Sequence, residues 1–336
     1  MTQGVLLINL GTPRSTETSD VRRYLREFLS DPRVIDTGPL ARWLLVNLVI
    51  APFRAPKTAA LYRNIWSETG SPLLVNGLTL RTALAAKLGS DWRVELGMRY
   101  GEPSLAQALD RLAAARVSRI VALPLFPQWA ASSSGSAEAR LAELAAARPG
   151  LAPIETLPEF YDAPGFVEAV AEVTRPRLVA FRADHVLFSY HGLPERHMRA
   201  SDPTGAHCLA SPSCCDAVVE ANAHCYRAQC HATTRALAAA LELPPDAWSI
   251  GFQSRLGREP WIKPYTDLLL PDLAKAGVKR LAVLCPSFVA DCLETLEEVG
   301  IRLSQQWRGL GGDALELVPC VNAHPGFVRF LAGRVR

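Results

Sequence analysis

Residues 5–13 read VLLINLGTP, and residues 186–194 read VLFSYHGLP. Each is a short apolar run that closes on Gly-x-Pro, with Gly11 and Gly192 in register. A run of this length bounded by turn residues reads as a buried strand. A second echo lies downstream: VSRIVALPLF (117–126) is similar to VKRLAVLCPSF (278–288), so that Arg119 and Arg280 correspond. In each half, an opening strand runs into Gly-x-Pro and a later strand into a proline-bearing loop. The echoes predict two similar α/β halves, divided here at residues 1–160 and 161–336.

The stretch WRVELGMRY (92–100) adds a further predicted strand. Between the strands lie helical patterns such as SLAQALDRLAAARV (104–117) and LETLEEVGIRLSQQW (293–307). Alternation of strand and helix predicts α/β lobes of Rossmann-like type, with parallel sheets covered by helices on both faces. In such sheets ligands bind beyond the carboxyl ends of the strands. Chemistry is therefore expected at Leu10–Pro13, Phe126–Ser136, His191–Pro194 and Phe288–Glu298. No Gly-x-Gly-x-x-Gly follows the first strand and there is no P-loop, so nucleotide binding loses its main support.

At 336 residues the chain is long enough for about two domains. With 49% hydrophobic and 21% charged residues, it has the composition of a globular protein with ample core. A net charge of +3 is too small to argue for nucleic acid. The start, MTQGVLLINLGTP, has no basic region and no small-residue cleavage site, which predicts a cytoplasmic protein in a reducing compartment. The longest apolar run, WLLVNLVIAPF (43–53), is flanked by Arg42 and Arg54 and is too short to span a membrane. It reads either as a buried helix or as an apolar lip that touches a membrane or a greasy ligand.

Three features could carry chemistry. His191 sits at a predicted strand end, where an imidazole can accept a proton or ligate a metal; a loop histidine bonded to backbone is the plainer alternative. In VADCLETLEE (289–298), helical spacing of roughly 100° per residue puts Asp291, Glu294 and Glu298 within about 60° of one another. Such a row is either a solvated acidic face or a path for protons or a divalent cation. In LFPQWAASSSGSA (125–137), a serine run could bind anionic groups at a helix N-terminus, or Ser134 or Ser136 could simply cap the next helix.

Together the motifs LINLGTP, LYRN…GSPL, MRYGEPS, LFPQWAASSSGSA, LFSYHGLPERH, FQSRLGREPWIKPYTD and SFVADCLETLEE resemble the ferrochelatase family. The match runs in order from the first strand to nearly the last helix. The resemblance implies two similar lobes flanking a porphyrin cleft. It also implies insertion of ferrous iron into protoporphyrin IX, which gives protohaem and two protons. By position, His191 matches the family's active-site histidine and Glu294 its partner glutamate, both also facing the iron substrate. Asp291 and Glu298 match the acidic row leading away. Arg54, Tyr62 and Ser71 match porphyrin-contacting positions near the lip. Arg99 and Tyr100 match residues on the opposite face of the cleft, and Trp261 matches a family tryptophan. Rival readings are the same chemistry on coproporphyrin III or a corrin precursor, and a non-catalytic tetrapyrrole or iron carrier.

The chain departs from some relatives in three ways. Cys292 stands where some carry histidine. The chain ends at Arg336 without the cysteine-bearing extension of the animal-type enzymes. Roughly twenty residues look inserted after SYHGLPERH, at about 208–230. That segment, HCLASPSCCDAVVEANAHCYRAQC (207–230), holds Cys208, Cys214, Cys215, Cys225 and Cys230, five of the eight cysteines. A reducing compartment argues against disulfides. Zinc modules usually show two Cys-x2–4-Cys knuckles, and only Cys225-x4-Cys230 resembles one. Iron–sulfur ligation tolerates more varied spacing. Some bacterial members of the resembled family carry a [2Fe–2S] cluster on such a segment. The expected ligands are Cys208, Cys215, Cys225 and Cys230, with Cys214 as the alternative.

Overall fold

The computed structural model describes residues 1–257 and 259–336. The chain forms two compact units. One comprises Met1–Phe126, Ala131–Glu159 and Leu331–Arg336; the other comprises Pro127–Ala130 and Phe160–Phe330.

The first unit is built on a parallel sheet of order β2-β1-β3-β4, where β1 is Gln3–Thr12, β2 Trp92–Gly101, β3 Ile120–Pro124 and β4 Ile154–Thr156. The central β1 is buried on both faces, with Val5, Leu6, Leu7 and Ile8 fully inaccessible. That is why it reads as an unbroken apolar run rather than an alternating one. The helices Leu105–Ala114 and Ser136–Ala146 lay Leu105, Leu109, Leu112 and Leu141 against Leu6, Ile8 and Ile120. Ser104 caps the first of these helices through a reciprocal capping box with Gln107.

The second unit repeats this topology. Strands β5 (His185–His191), β6 (Trp248–Gln253), β7 (Arg280–Leu284) and β8 (Ala314–Leu317) form a parallel sheet of order β6-β5-β7-β8. The echo between residues 5–13 and 186–194 is thus the echo of two central strands, β1 and β5. The echo between 117–126 and 278–288 is that of β3 and β7.

Both glycines of the repeated motif sit under the same constraint. A Cβ on Gly11 would lie 1.8 Å from the Tyr100 carbonyl oxygen, and Gly11 has φ +126°. A Cβ on Gly192 would lie 2.7 Å from the Gln253 carbonyl oxygen. Tyr100 and Gln253 close the strands beside β1 and β5. The chain leaves each central strand pressed against its neighbour's last residues, and only glycine fits there.

Two expectations are corrected. The stretch 293–307, read as one α-helix, is a π-helix over Glu294–Leu303 that continues as an α-helix over Ser304–Gly309. Hydrophobic periodicity does not separate the two. The wider turn is held by an ion pair five residues apart, Arg302 Nε to Glu297 Oε2 at 2.7 Å, which matches the i→i+5 repeat of a π-helix. The apolar run at 43–53 is the middle of a continuous helical segment, Pro39–Ile65, of 27 residues, long and apolar enough by length and composition to cross a membrane. Its Ala51, Ala55, Ala59 and Tyr62 face is buried, whereas Leu40, Trp43, Leu48, Val49 and Phe53 are more than half exposed.

Replacing Gly11 by alanine is expected to cost about 2–5 kcal/mol, the sum of overpacking and a left-handed backbone. Gly89→Ala, at φ +88° with nothing within 4 Å of the added carbon, should cost only about 1–2 kcal/mol. Urea midpoints of the two variants check this; equal losses would contradict the close-approach account.

Candidate active site

His191 stands at the carboxyl end of the β5 sheet, and the π-helix that carries Glu294 and Glu298 is tied to that end. His191 is the last residue of β5 and is half-buried. Its Nδ1 lies 2.6 Å from the Gly192 carbonyl oxygen. A carbonyl only accepts, so Nδ1 carries a proton and Nε2 is the nitrogen left to exchange one. The Phe288 ring stands edge-on to the imidazole at 6.4 Å between centroids. The His191 backbone N–H donates to Ser287 Oγ at 3.3 Å.

The start of the π-helix is bolted to the same strand ends. Gln253, the last residue of β6, accepts from Ser189 Oγ at 2.6 Å and donates through Nε2 to the Glu294 carbonyl at 2.9 Å. Ser254, held at φ +66°, presents both its donors to one carboxylate: N–H to Glu298 Oε1 at 2.9 Å and Oγ to Glu298 Oε2 at 2.5 Å. Burial raises the Glu298 carboxyl above its ordinary range, and the neighbouring Glu294 charge adds to this. The Ser254 hydroxyl, His191 and Arg302 oppose it. His191 and Glu294 thus both act electrostatically on Glu298.

Asp291 does something else. It is buried, and its Oδ2 accepts from Asn322 Nδ2 at 2.7 Å while Oδ1 accepts from the Cys320 N–H at 3.2 Å. It pins the turn before the π-helix to the chain beyond β8. Cys292 is buried and is pushed up by that burial, with the Glu294 carboxylate adding to the shift.

Trp261 packs beside Gly192. Its Cε3 is the second-nearest atom to a carbon built on Gly192, and its indole N–H donates to the Leu256 carbonyl at 2.8 Å. The Pro194 and Trp261 backbones form an antiparallel bridge.

In the first unit, the candidates at the end of β2 lie in a buried polar network around Asp31. Asp31 Oδ2 accepts from Arg99 Nη2 at 2.6 Å, from the Tyr100 hydroxyl at 2.9 Å and from Ser136 Oγ at 2.5 Å. Burial alone would raise the Asp31 carboxyl. Bonds from Ser136, the Arg33 N–H and Tyr100, with the Arg99 charge, outweigh it and hold the carboxyl below the usual range. Burial pushes the Tyr100 hydroxyl well up. Ser136 therefore does not cap the helix it opens, contrary to that reading; its hydroxyl serves Asp31 and accepts from Arg99 Nε at 2.7 Å. Ser71 is buried and accepts from Thr12 Oγ1, at the end of β1, at 2.8 Å. Tyr62 is buried with its ring edge-on to Trp66, and Arg54 is exposed on the helical lip.

The cysteine segment is a braced loop. Asp202 accepts the N–H groups of His207 and Cys208 at 2.7 and 2.8 Å, and Asn222 Nδ2 holds the Cys214 and Ala217 carbonyls at 2.9 Å each. All eight cysteines are free and buried. The Cys214 and Cys215 sulfurs are 3.7 Å apart. Cys225 contacts both Cys208 and Cys215 through its thiol. Cys230, fully buried, bonds instead to the Tyr226 hydroxyl. Among the described residues, no group of three or more His, Cys, Asp or Glu side chains is set up to hold a single metal ion.

Gln253, Ser254, Ser287 and Asp31 were not singled out by sequence. The first two lie within the motif FQSRLGREPW, but nothing in their spacing announces a bond to a residue some forty positions away.

The protein is thus an α/β protein with two parallel four-stranded sheets of the same order and, in the second unit, an imidazole at a strand end. Its fold is similar to that of SirB from Bacillus subtilis solved with Fe3+, with a TM-score of 0.51 at 13% identity, covering 100% of this chain and 95% of that one. It is also similar to the sirohydrochlorin chelatase SirB from Bacillus subtilis subspecies spizizenii in complex with cobalt, with a TM-score of 0.50 at 11% identity, covering 100% and 94%. At such identities the likeness concerns the fold alone.

The chain belongs to the ferrochelatase family, whose model matches residues 2–336. It is 47% identical over 329 residues to a ferrochelatase of Coxiella burnetii (98% of this chain, 92% of the relative). It is 45% identical to one of Legionella pneumophila (98% and 97%) and 46% identical to one of Opitutus terrae (99% and 97%).

Proposed function

We propose that this protein inserts ferrous iron into protoporphyrin IX, yielding protohaem and two protons in haem synthesis. The observation that carries the reading is the group formed by His191, Glu294 and Glu298 at the end of β5. A free-base porphyrin is flat, and its two inner N–H protons block the metal. Binding must bend the ring so that a pyrrole lone pair is exposed, with strain supplied by contacts to the rest of a large apolar ligand. His191, with Nδ1 fixed on the Gly192 carbonyl, accepts a ring proton at Nε2. Glu298, whose burial raises its proton affinity, takes protons onward with Glu294. Iron as substrate needs few, exchangeable ligands; the His191 Nε2 lone pair and a Glu294 carboxylate oxygen hold it before transfer, and Nε2 takes the ring proton only once the iron has left it. Arg54, Tyr62, Ser71, Arg99, Tyr100 and Trp261 contact the macrocycle in this reading. The exposed apolar stripe from Leu40 to Phe53 makes the protein a peripheral one, cytoplasmic and held at the inner face of the membrane; co-sedimentation with lipid vesicles measures this.

The cysteine segment holds a [2Fe–2S] cluster in the same reading. Two thiolates on one tetrahedral metal with bonds of about 2.3 Å lie roughly 3.8 Å apart, close to the 3.7 Å between Cys214 and Cys215. A cluster with two irons draws on pairs of sulfurs rather than on one converging set, which suits the chain of contacts Cys208–Cys225–Cys215–Cys214. These contacts favour Cys214 over Cys230 as the fourth ligand. Insertion of iron into the ring transfers no electron, so the cluster acts as a structural clip or a sensor of iron and oxidation.

His191→Ala should lower kcat for zinc- and iron-protoporphyrin formation by about 10²-fold or more while porphyrin binding persists. Unchanged turnover, or stoichiometric binding without turnover in the parent protein, would remove the assignment. For the cluster, the anaerobically purified protein should show visible absorbance that Cys214→Ser abolishes and Cys230→Ser retains. The reverse pattern would restore Cys230 as ligand, and a colourless parent protein with no bound iron or sulfide would dismiss the cluster.

A further inference from the structure

A cavity of about 340 Å³ opens beside the cysteine segment within the second unit. One wall is Leu209–Pro212, from the segment itself; facing it are Arg199, Arg227 and Lys263. The single acid in the lining, Glu195, is already paired with Arg199 at 3.1 Å.

The other two cations lack counter-charges. Among the described residues, Lys263 Nζ has no carboxylate or hydrogen-bond partner; it lies 5.9 Å from the Tyr265 ring centroid. Arg227 is half-buried and meets no carboxylate either. Its Nε donates to the Lys263 carbonyl at 3.3 Å, and its Nη1 donates to Cys215 Sγ at 3.1 Å. These two bonds fix the guanidinium plane. Among the described residues no protein acceptor meets its Nη2. A guanidinium held in place, with its Nη2 unused and an ammonium in the same cavity lining, can donate to an oxyanion with charge assistance. Ser211 adds a hydroxyl in the same lining.

We propose that Arg227, Lys263 and Arg199 form a binding site for a small oxyanion, a phosphate or a carboxylate group, at the mouth of the cysteine segment. The site is separate from the group around His191. It is linked to the sulfurs through one side chain, because the guanidinium that would hold the anion also donates to Cys215.

The test is calorimetric titration of the full-length protein with sodium phosphate and, separately, with sodium citrate, against sodium chloride at matched ionic strength. Saturable one-site binding of either anion is expected: phosphate alone assigns the site to phosphate groups, citrate alone to carboxylates. Lys263→Glu should weaken that affinity by about tenfold or more, and Lys263→Arg should preserve it. Arg199→Glu, checked for an intact thermal melt, gives the same reading should Lys263→Glu fail to fold. Absence of saturable heat for both anions, or equal affinity in the charge-reversed and parent proteins, would overturn the site.

Discussion

The carbonyl oxygen that closes the strand beside each central strand occupies the space where a side chain would otherwise begin. At Gly11 it is the oxygen of Tyr100, at Gly192 that of Gln253. This close approach fixes how the chain leaves β1 and β5, and so decides what stands at the carboxyl end of each sheet. In the second unit it places His191 one residue before the contact. It also puts Gln253 where its side chain reaches both Ser189 in β5 and the first carbonyl of the π-helix. In the first unit it brings Thr12 to Ser71 and sets Arg99 and Tyr100 in the network around Asp31. The repeated motif is a steric device before it is a chemical one.

Given that frame, the two sheet ends treat carboxylates in opposite ways. Asp31 is buried but surrounded by donors and a guanidinium, so it stays ionised and acts as an anchor. Glu298 is half-buried, yet its two donors come from one serine and its neighbour Glu294 carries the same charge, so its proton affinity rises. Burial is common to both; the count and sign of the surrounding partners separate a fixed charge from a proton acceptor. Asp291 shows a third outcome, a carboxylate spent on the backbone N–H of Cys320 and the amide of Asn322.

Much of this was legible in the residues. The central strands β1 and β5, and their neighbours β2, β3 and β7, carry enough apolar residues to be read directly, and the internal echoes pointed to two similar α/β halves. Strands β4, β6 and β8 were not identified, because IET and ALEL are short with no buried position and WSIGFQ is buried only over its last three residues. The placement of His191 at a strand end followed from pattern alone and the row of Asp291, Glu294 and Glu298 from helical spacing, although the helix is of another kind; the pairing of His191 with Glu294 followed from the family resemblance. What sequence could not yield are contacts made by residues with no distinctive neighbours: Ser254 in a left-handed conformation, Asp31 gathering three donors, and the exposure of one stripe on a helix whose other face is buried.

The most direct test of the central claim is a crystal structure of the protein with free-base protoporphyrin IX. The account predicts a bent macrocycle whose pyrrole nitrogens face His191 Nε2 within hydrogen-bond reach, directly or through one water, with Glu294 and Glu298 behind the imidazole. A flat porphyrin bound away from the end of β5, with His191 still confined to its backbone contact, would contradict it.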